Sequence, residues 1–339
     1  MSRREVGTTR RDGDRPGGAG YGIALVIVSI ANATAADWVP VYSPADGRTY
    51  VSQVATPVVV APPRSPWQIE LGTRYWISSG RTQYDLYVDS PGTTFSPISR
   101  LTYTSLLAHS GEVFGRADHA TGAFVKGFIG GGVIPGGKLQ DEDFPPFFVP
   151  YSSTDSEQRG GALAYGTLDI GWSWRAERRL RLGIFAGYHH TFERLNGYGC
   201  NQTASHPGCS VPISTSVHVI KQETNWGAAR LGINADWWIT DRLRLTTDVA
   251  WLPYVHLDAK DTHLLRPDFL GTQNGGGVAS VQFEAVVNYS LTDALSVGLG
   301  GRYWKMQTEP GAVAMQVVGG GPLRNISNRT LGRVLSGQL

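Results

Sequence analysis

Hydrophobic and polar residues alternate with a period of two along most of this chain. From Leu180 to His189, the even-numbered positions are apolar, whereas the odd-numbered positions include Arg181 and two glycines. The same alternation follows Leu243 and Val281. Successive side chains of a β-strand point to opposite faces, whereas a helix would scatter these apolar residues around its whole circumference. We therefore predict an all-β fold.

The pattern predicts ten strands, joined alternately by short and long connections. The predicted strands cover residues 67–87, 99–114, 121–135, 160–174, 179–194, 223–239, 242–258, 277–290, 294–307 and 325–338. The short connections are 116–120, 175–178, 240–241 and 292–293, and the long ones are 88–98, 136–159, 195–222, 259–276 and 308–324. Short periplasmic turns and long extracellular loops are typical of outer-membrane barrels. The last strand alternates weakly and lacks a terminal aromatic residue, so we expect either an atypical closing strand or an altered 3′ end of the gene.

The polar positions of these strands are unusually rich in charge. They comprise Glu70, Arg74, Asp169, Arg181, Arg230, Asp236, Arg244, Asp248, Glu284 and Arg302. A soluble sandwich would turn such residues to water, whereas a membrane barrel turns its apolar residues to lipid and encloses the polar ones. The export signal at the N-terminus favours the second arrangement. The predicted fold is a ten-stranded antiparallel transmembrane β-barrel with long extracellular loops.

The N-terminus has the order of a secretory signal peptide. Several arginines precede the apolar run 21–30, and the small residues Ala33-Thr34-Ala35 follow it as an A-x-A cleavage site. The apolar run is too short to be a membrane anchor. We therefore predict a signal peptide over residues 1–35, a proline-rich periplasmic lead-in over 36–66 and the barrel over 67–339.

Composition narrows the possible partners. The net charge is +2, and no basic cluster is interleaved with aromatic residues, so we do not expect nucleic acid as a partner. Charged residues make up only 17% of the chain, and no segment after the N-terminus is long and apolar enough for a membrane-spanning helix. A ten-stranded lumen is close to the size that side chains fill, so an open diffusion pore is not the first expectation.

The two cysteines lie in one short segment. After export to an oxidising compartment, Cys200 and Cys209 are expected to form a disulfide that closes a small loop, the alternative being two unpaired thiols. Together with His206 they lack a convincing fourth ligand, so we expect no metal site.

Two short motifs could carry chemistry. Asp141 and Asp143 fall in the predicted loop after the third strand, and Asp261 and His263 fall in the loop after the seventh. The two loops leave the barrel four strands apart in a ring of ten, so they should face each other across its mouth. Near the end of a strand, residues i and i+2 point the same way, so each pair should present both side chains to one side.

Such a set of residues can activate water. An Asp hydrogen-bonded to a His fixes the tautomer of the imidazole and raises its basicity, and two close carboxylates tend to share a proton. The spacing alone leaves other interpretations open, because Asp-x-Asp in a loop also occurs in solvated turns and calcium contacts, and a loop histidine is often simply exposed.

Over roughly residues 67–310, the chain resembles the omptin family of outer-membrane proteases. The segment 71–82, LGTRYWISSGRT, resembles the first strand of the family, and 181–188, RLGIFAGY, resembles an interior strand. Asp141-Glu-Asp143 followed by Phe144 resembles the Asp-x-Asp-Trp of the family, and Asp261-Thr-His263 resembles its Asp-Glu-His. The resemblance implies a ten-stranded barrel with an endopeptidase site at its outer rim, with Asp141, Asp143, Asp261 and His263 as the catalytic residues.

The chain also differs from the omptin family at two positions. Omptins commonly hold a basic substrate side chain with one acid in the first strand and another two residues before the catalytic Asp. Here Tyr84 and Ala259 occupy those positions, while Asp85 and Asp258 stand one residue away. A one-residue slip turns a side chain to the opposite face of a strand. Asp85, Asp258 and Tyr84 are therefore candidates for substrate binding, and a preference for basic substrates is in doubt.

Three functions remain to be distinguished. The first is an omptin-like aspartic-type endopeptidase of the bacterial outer membrane, with its site facing outward. It would need no cofactor, and the resemblance implies dependence on lipopolysaccharide as a lipid partner and peptides or proteins as substrates. The second is an inactive barrel of the same descent that acts as a surface adhesin or structural protein. The third is a narrow channel.

Overall fold

The computed structural model describes residues 23–25, 29–31, 65–88, 97–144, 149–266, 270–277, 279–309, 311–316 and 330–338. They form fifteen strands: β1 (Ile23–Leu25), β2 (Ser29–Ala31), β3 (Trp67–Val88), β4 (Ser99–His119), β5 (Ala123–Asp143), β6 (Ser152–Glu177), β7 (Leu180–Gln202), β8 (Ile213–Trp238), β9 (Leu243–Leu252), β10 (Val255–His263), β11 (Leu270–Gly276), β12 (Ser280–Ser290), β13 (Leu295–Gln307), β14 (Gly311–Gln316) and β15 (Thr330–Gln338). Within the described ranges, no helix is long and apolar enough to cross a membrane.

The strands form one antiparallel sheet that closes on itself. From β3 to β8, each strand pairs with the next along the chain. Strand β8 then pairs with both β9 and β10. One series of pairings continues from β9 to β12 and β13, and the other continues from β10 to β11 and β14. Strand β15 pairs with β13, β14 and β3, which completes the ring. The predicted all-β antiparallel barrel is therefore confirmed.

The strand count differs from the prediction because the predicted strand 242–258 is interrupted, and because further strands lie in segments predicted as connections or as the signal peptide. β9 and β10 both pair with β8 and are separated only by Pro253 and Tyr254. Proline has no N–H to donate to the ladder, which explains the break between them. Similar breaks separate β11 from β12 and β13 from β14. The count of ten stays a prediction.

The strands on the side of the long connections run further than the alternation predicted. β5 continues to Asp143 and pairs there with Ser152 of β6, although 136–159 was predicted as a loop. Strand β10 likewise continues to His263, within the predicted loop 259–276. We call this end of the barrel the rim, and the end with the short turns the base. Hydrogen bonding to neighbouring strands keeps the chain extended at the rim. The alternation within one strand therefore does not predict where that strand ends.

The outer surface of the barrel is apolar over its middle. Side chains such as Ile129, Ile170, Ile184, Ile233 and Leu299 are each more than half exposed. Their neighbours on the alternate positions point inward, as the period of two predicted. A broad exposed apolar belt around a closed sheet is what a barrel presents to the hydrocarbon core of a bilayer.

The interior is filled by paired charges. Glu112 accepts hydrogen bonds from Arg302 and Arg74, and the same two arginines donate to Glu284. Further ion pairs join Arg181 and Arg116 to Asp236, Arg230 to Asp169, Arg244 to Glu70, and Lys126 to Asp248. A cavity of only about 100 Å³ lies within this network. The lumen is therefore packed with side chains at this level.

The two ends of the chain meet along β3. β1 and β2 pair with the half of β3 nearer the base, whereas β15 pairs with residues 80–88 near the rim. Most of the predicted signal peptide and lead-in lies outside the described residues, so the predicted limits 1–35, 36–66 and 67–339 stay predictions. Cys200 and Cys209 are joined by a disulfide, which closes the tip between β7 and β8.

Candidate active site

Strands β5 and β10 carry the four predicted catalytic residues to the rim. On β5, Leu139, Asp141 and Asp143 share the inward phase, and Leu139 is almost fully buried. On β10, Ala259, Asp261 and His263 share the inward phase, while the residues between them point outward. Both pairs are therefore held by strand ladders and not by free loops, which corrects the predicted loop placement. Two residues of a strand spaced by i and i+2 project from one face.

One cavity of about 490 Å³ at the rim brings the two pairs together. It is lined by Tyr84, Asp85, Leu86, Ile98, Ser99, Leu101, Asp141, Asp143, Phe144, Tyr151, Asp261, His263, Arg266 and Gln273. The cross-strand neighbour of Asp261 on β11 is Gly271, which has no side chain to compete for the space beside the carboxyl. Residues of both pairs, from strands far apart in the chain, thus line the same cavity.

Asp261 is a buried carboxyl group and Asp141 a partly buried one, and both have raised pKa values. Loss of hydration is the main cause, and it raises the pKa of Asp141 to about 7 and that of Asp261 to about 8. The charge of Asp143 adds to the rise at Asp141, and the charge of Asp141 adds to the rise at Asp261, while Arg266 acts in the opposite direction on both. The two carboxyls are therefore within electrostatic range of each other across the mouth.

His263 approaches Asp261 without a close hydrogen bond. Its Nδ1 atom is 3.4 Å from Oδ2 of Asp261, beyond the ~2.7–3.2 Å of an ordinary N–H···O bond. Burial, followed by the positive charge of Arg266, lowers the pKa of His263 to about 4. The imidazole is therefore neutral at pH 7. The expectation that Asp261 raises the basicity of His263 is wrong for this geometry, because desolvation outweighs the neighbouring carboxyl, which is itself largely protonated at that pH.

Two polar residues of the cavity, Arg266 and Gln273, were not predicted from the sequence. Arg266 is placed beside the site by a turn in which its own N–H donates to the carbonyl oxygen of His263, 3.1 Å away. Gln273 on β11 lies opposite Ala259 and also lines the cavity. Neither residue belongs to a recognisable motif. The position of Arg266 just after the Asp261–His263 motif was the one available signal.

Two buried tyrosines, Tyr84 and Tyr103, lie near the carboxyl groups, and Tyr84 lines the cavity. The Tyr84 hydroxyl is hydrogen-bonded to Thr224, and Tyr103 is fully buried. The Tyr103 hydroxyl has no hydrogen-bond partner among the residues that the structure describes. Burial, followed by the charge of Asp261, raises the pKa of Tyr103. A bulge at Ser105, where φ is 53°, shifts the register of β4, so simple alternation did not identify the inward position of Tyr103.

The predicted substrate-binding acids do not present free carboxylates to the cavity. Asp258 points outward with a side chain that is 55% exposed, and it pairs with His256 at 2.8 Å. Ala259 takes the inward position instead, as strand alternation requires. Asp85 borders the cavity, but Arg100 binds both of its oxygens at 2.7 and 3.2 Å. Asp258 therefore faces away from the cavity, whereas Tyr84 and Asp85 line it, and substrate binding by these three residues stays a prediction.

The site contains both proton acceptors and proton donors near neutral pH. The neutral imidazole of His263 can accept a proton from water, as can whichever carboxyl of Asp141 and Asp261 is ionised. The other carboxyl, still protonated, can donate to a developing oxyanion or leaving group, as two carboxyls with separated pKa values do in known acid–base pairs. Among the described residues, no group of three or more His, Cys, Asp or Glu side chains has the geometry to hold a metal ion.

The closed antiparallel β-barrel of this chain is similar to a solved fold. The solved structure of the outer membrane protease OmpT from Escherichia coli is similar to this chain, with a TM-score of 0.63 over 80% of this chain and 93% of that one. The sequence identity is 13%, so the similarity establishes the fold alone. It agrees with the resemblance to the omptins that the motifs indicated.

A second solved structure, a FadL homologue from Pseudomonas aeruginosa, is matched over 80% of this chain and 89% of that one, with 10% identity. Its TM-score of 0.20 is too low to support an argument. No protein-family model and no curated protein sequence matches the chain.

Proposed function

We propose that this protein is an endopeptidase of the bacterial outer membrane. Asp261 and His263 on one side of the rim activate a water molecule, and Asp141 and Asp143 on the other side position it and exchange protons with the substrate. The attack of this water on a peptide carbonyl is promoted by a base that takes the proton of the water and by an acid that protonates the leaving amine. The proposal rests most heavily on one observation, the rim cavity that four predicted residues from two distant strands share.

Peptide hydrolysis by the purified protein is the direct test. The full chain would be refolded in detergent with lipopolysaccharide and incubated with a diverse peptide library, and the products would be read by mass spectrometry. We expect internal cleavage that is lost in His263→Ala. A folded barrel that cuts no peptide would favour the adhesin or structural alternative. Conductance measurements on the same preparation would test the channel alternative, which the packed interior does not favour.

The proposal places the rim on the extracellular side and the base in the periplasm. The apolar belt supports a bilayer location, and short turns in such barrels face the periplasm. Val211 at the tip between β7 and β8 is 82% exposed, and the side chain of Asp241 in a base turn is 92% exposed. In a background without Cys200 and Cys209, Val211→Cys should react with an impermeant reagent on intact cells. Asp241→Cys should react only after the outer membrane is opened, and the reverse pattern would contradict the orientation.

Lipopolysaccharide enters the proposal as a lipid partner on the strength of the family resemblance. Cleavage by one refolded preparation, measured with and without lipopolysaccharide, tests this part separately. Equal rates in the two samples would remove the lipid requirement and leave the proteolytic proposal intact.

A further inference from the structure

One wall of the rim cavity is apolar. Leu86 on β3 and Leu101 on β4 line it beside the ring of Tyr84, and Ile98, Phe144 and Tyr151 continue it toward the opening. The Tyr84 hydroxyl is occupied by Thr224, so this residue turns its ring and not a free polar group to the cavity. Binding sites of this kind combine an apolar surface with a few placed polar groups, and the volume of about 490 Å³ is within their usual range.

Backbone hydrogen bonds hold the outer part of this wall in place. The N–H of Ile98 donates to the carbonyl oxygen of Leu86 at 2.7 Å, and the N–H of Phe144 donates to that of Ile98 at 2.8 Å. The N–H of Tyr151 donates to the carbonyl oxygen of Asp143 at 3.0 Å. The apolar side chains are therefore attached to the same ladder as the acidic residues, and their distance from Asp141 is fixed by strand pairing.

The charges of the cavity do not suit a basic side chain. Asp85 is bound by Arg100, and Asp258 faces away from the site. Because the pKa values of Asp141 and Asp261 are about 7 and about 8, both are at most about half ionised at pH 7. The remaining acid of the lining is Asp143, and Arg266 adds a positive charge to the same cavity that offsets it. A cation bound there would meet little net negative charge and would lose its hydration.

We propose that the wall formed by Leu86, Ile98, Leu101, Phe144 and Tyr151 is a specificity pocket for an apolar or aromatic side chain next to the scissile bond. Leu101 is the cross-strand neighbour of Asp141, so a side chain bound against it lies beside the reacting carbonyl. The substrate class is therefore an extended peptide with Phe, Tyr, Leu or a similar residue at this position. The inference rests on the proposed function and specifies which peptides the proposed endopeptidase prefers.

The test uses fluorogenic peptides that differ only at one position, with Phe, Leu, Ala, Arg or Glu. With the refolded full chain, kcat/KM for the Phe peptide should exceed that for the Arg peptide by at least about 10-fold, the order that a few contacts in an apolar pocket provide. Leu101→Ala should lower the ratio of kcat/KM for the Phe peptide to that for the Ala peptide by about 10-fold or more. The matched control is Leu107→Ala on the same strand, an outward residue whose substitution should not change this ratio.

Binding measured apart from turnover separates this inference from the proposed function. Fluorescence anisotropy of the same peptides with the His263→Ala protein should rank Phe and Leu above Arg and Glu, and Leu101→Ala should remove that ranking. Peptide binding in this order without cleavage by the wild-type protein would overturn the enzyme assignment and support the pocket. Preference for Arg in either assay, or an unchanged Phe-to-Ala ratio in Leu101→Ala, would overturn the pocket.

Discussion

The carboxyl groups inside the barrel and those at its rim differ in whether positively charged side chains pair with them. Inside, Glu112 is fully buried and receives two arginines, each within 3.2 Å. At the rim, Asp261 is also buried and Asp141 is partly buried, but no Lys or Arg of the described residues lies within ion-pair distance of them. The same side-chain chemistry is therefore placed in two opposite electrostatic settings along one barrel.

The difference separates a structural role from a chemical one. A buried carboxylate with cationic partners stays in one protonation state, and removing one partner leaves an uncompensated charge. A buried carboxyl without such partners has a raised pKa and can gain or lose a proton near neutral pH, which is what acid–base catalysis requires. The predictions below test this contrast, beginning with the largest effect.

Substitution at the rim should abolish activity without unfolding the barrel. His263→Ala removes the proposed proton acceptor, and Asp261→Asn removes a titrating group beside it. Each should reduce kcat by roughly 10³–10⁴-fold, as for comparable Asp–His pairs. Peptide cleavage by protein of verified barrel content measures the effect. The matched interior control is Asp248→Asn, which breaks the pair with Lys126 and should leave activity per folded molecule unchanged.

Substitution inside the barrel should affect stability and not catalysis. Glu112→Ala leaves Arg74 and Arg302 with Glu284 as their one remaining carboxylate in this cluster. The free energy of unfolding should fall by about 3–5 kcal/mol, because a buried charge loses its partner. Denaturant titration in lipid vesicles measures it. Asp141→Asn removes a partly buried carboxyl that has no such partner and should destabilise far less, and an equal loss for both variants would contradict the contrast.

The pH dependence should report carboxyl groups and not the histidine. With a pKa of about 4, His263 is neutral throughout the range from pH 6 to 9, so its protonation does not limit activity there. If an ionised Asp261 is needed, kcat/KM should rise with pH up to about 8. Arg266→Gln should move this rise to higher pH, because the arginine lowers the pKa of both Asp141 and Asp261. A rise centred near pH 4 would identify the histidine as the limiting group.

The raised pKa values of Asp141 and Asp261 also predict a smaller effect, on stability. A carboxyl whose pKa is higher in the folded than in the unfolded protein binds more protons when folded, so unfolding becomes easier as pH rises from about 4 to 8. Wild-type protein should therefore lose some stability over this window, and Asp141→Asn should lose less. Melting temperatures at a series of pH values measure the difference, and parallel curves for the two proteins would count against it.

The smallest effect is expected at the disulfide. Cys200 and Cys209 close a short loop at the tip between β7 and β8, away from the packed interior. The double substitution to Ser should therefore cost less than the ~2–4 kcal/mol typical of a disulfide, and peptide cleavage should continue. Alkylation without reduction should modify neither thiol in the exported wild-type protein. A large loss of stability would show that the tip supports the barrel.

Much of the architecture could be read from the sequence because a strand is a local pattern. Alternation identified the inward charges, including Arg302 and Glu284, and the polar turns near Thr240 and Thr292 marked the base. Strand ends at the rim were missed because pairing with neighbours, not alternation, keeps residues such as Asp143 extended. The break at Pro253 follows from the missing N–H of proline, yet alternation across it suggested one continuous strand.

The candidate site was only partly predictable. Asp141, Asp143, Asp261 and His263 were identified from spacing and resemblance, and the structure brings them into one cavity. The outward direction of Asp258 followed from register, which the motif alone did not fix. Arg266 and Tyr103 belong to no motif, because one enters through a turn and the other through a bulge.

The sequence by itself determined the order of strands and the face on which each charged residue lies, since these depend on periodicity. Spacing together with the family resemblance identified the two pairs of residues at the rim. Only the tertiary structure decided which carboxylates are neutralised and which remain without a cationic partner. That distinction depends on the distance between residues such as Glu112 and Arg302, far apart in the chain, and on how much water each group loses on burial. Closing the sheet sets both, so the pKa values of Asp141, Asp261 and His263 belong to the barrel and not to the motifs.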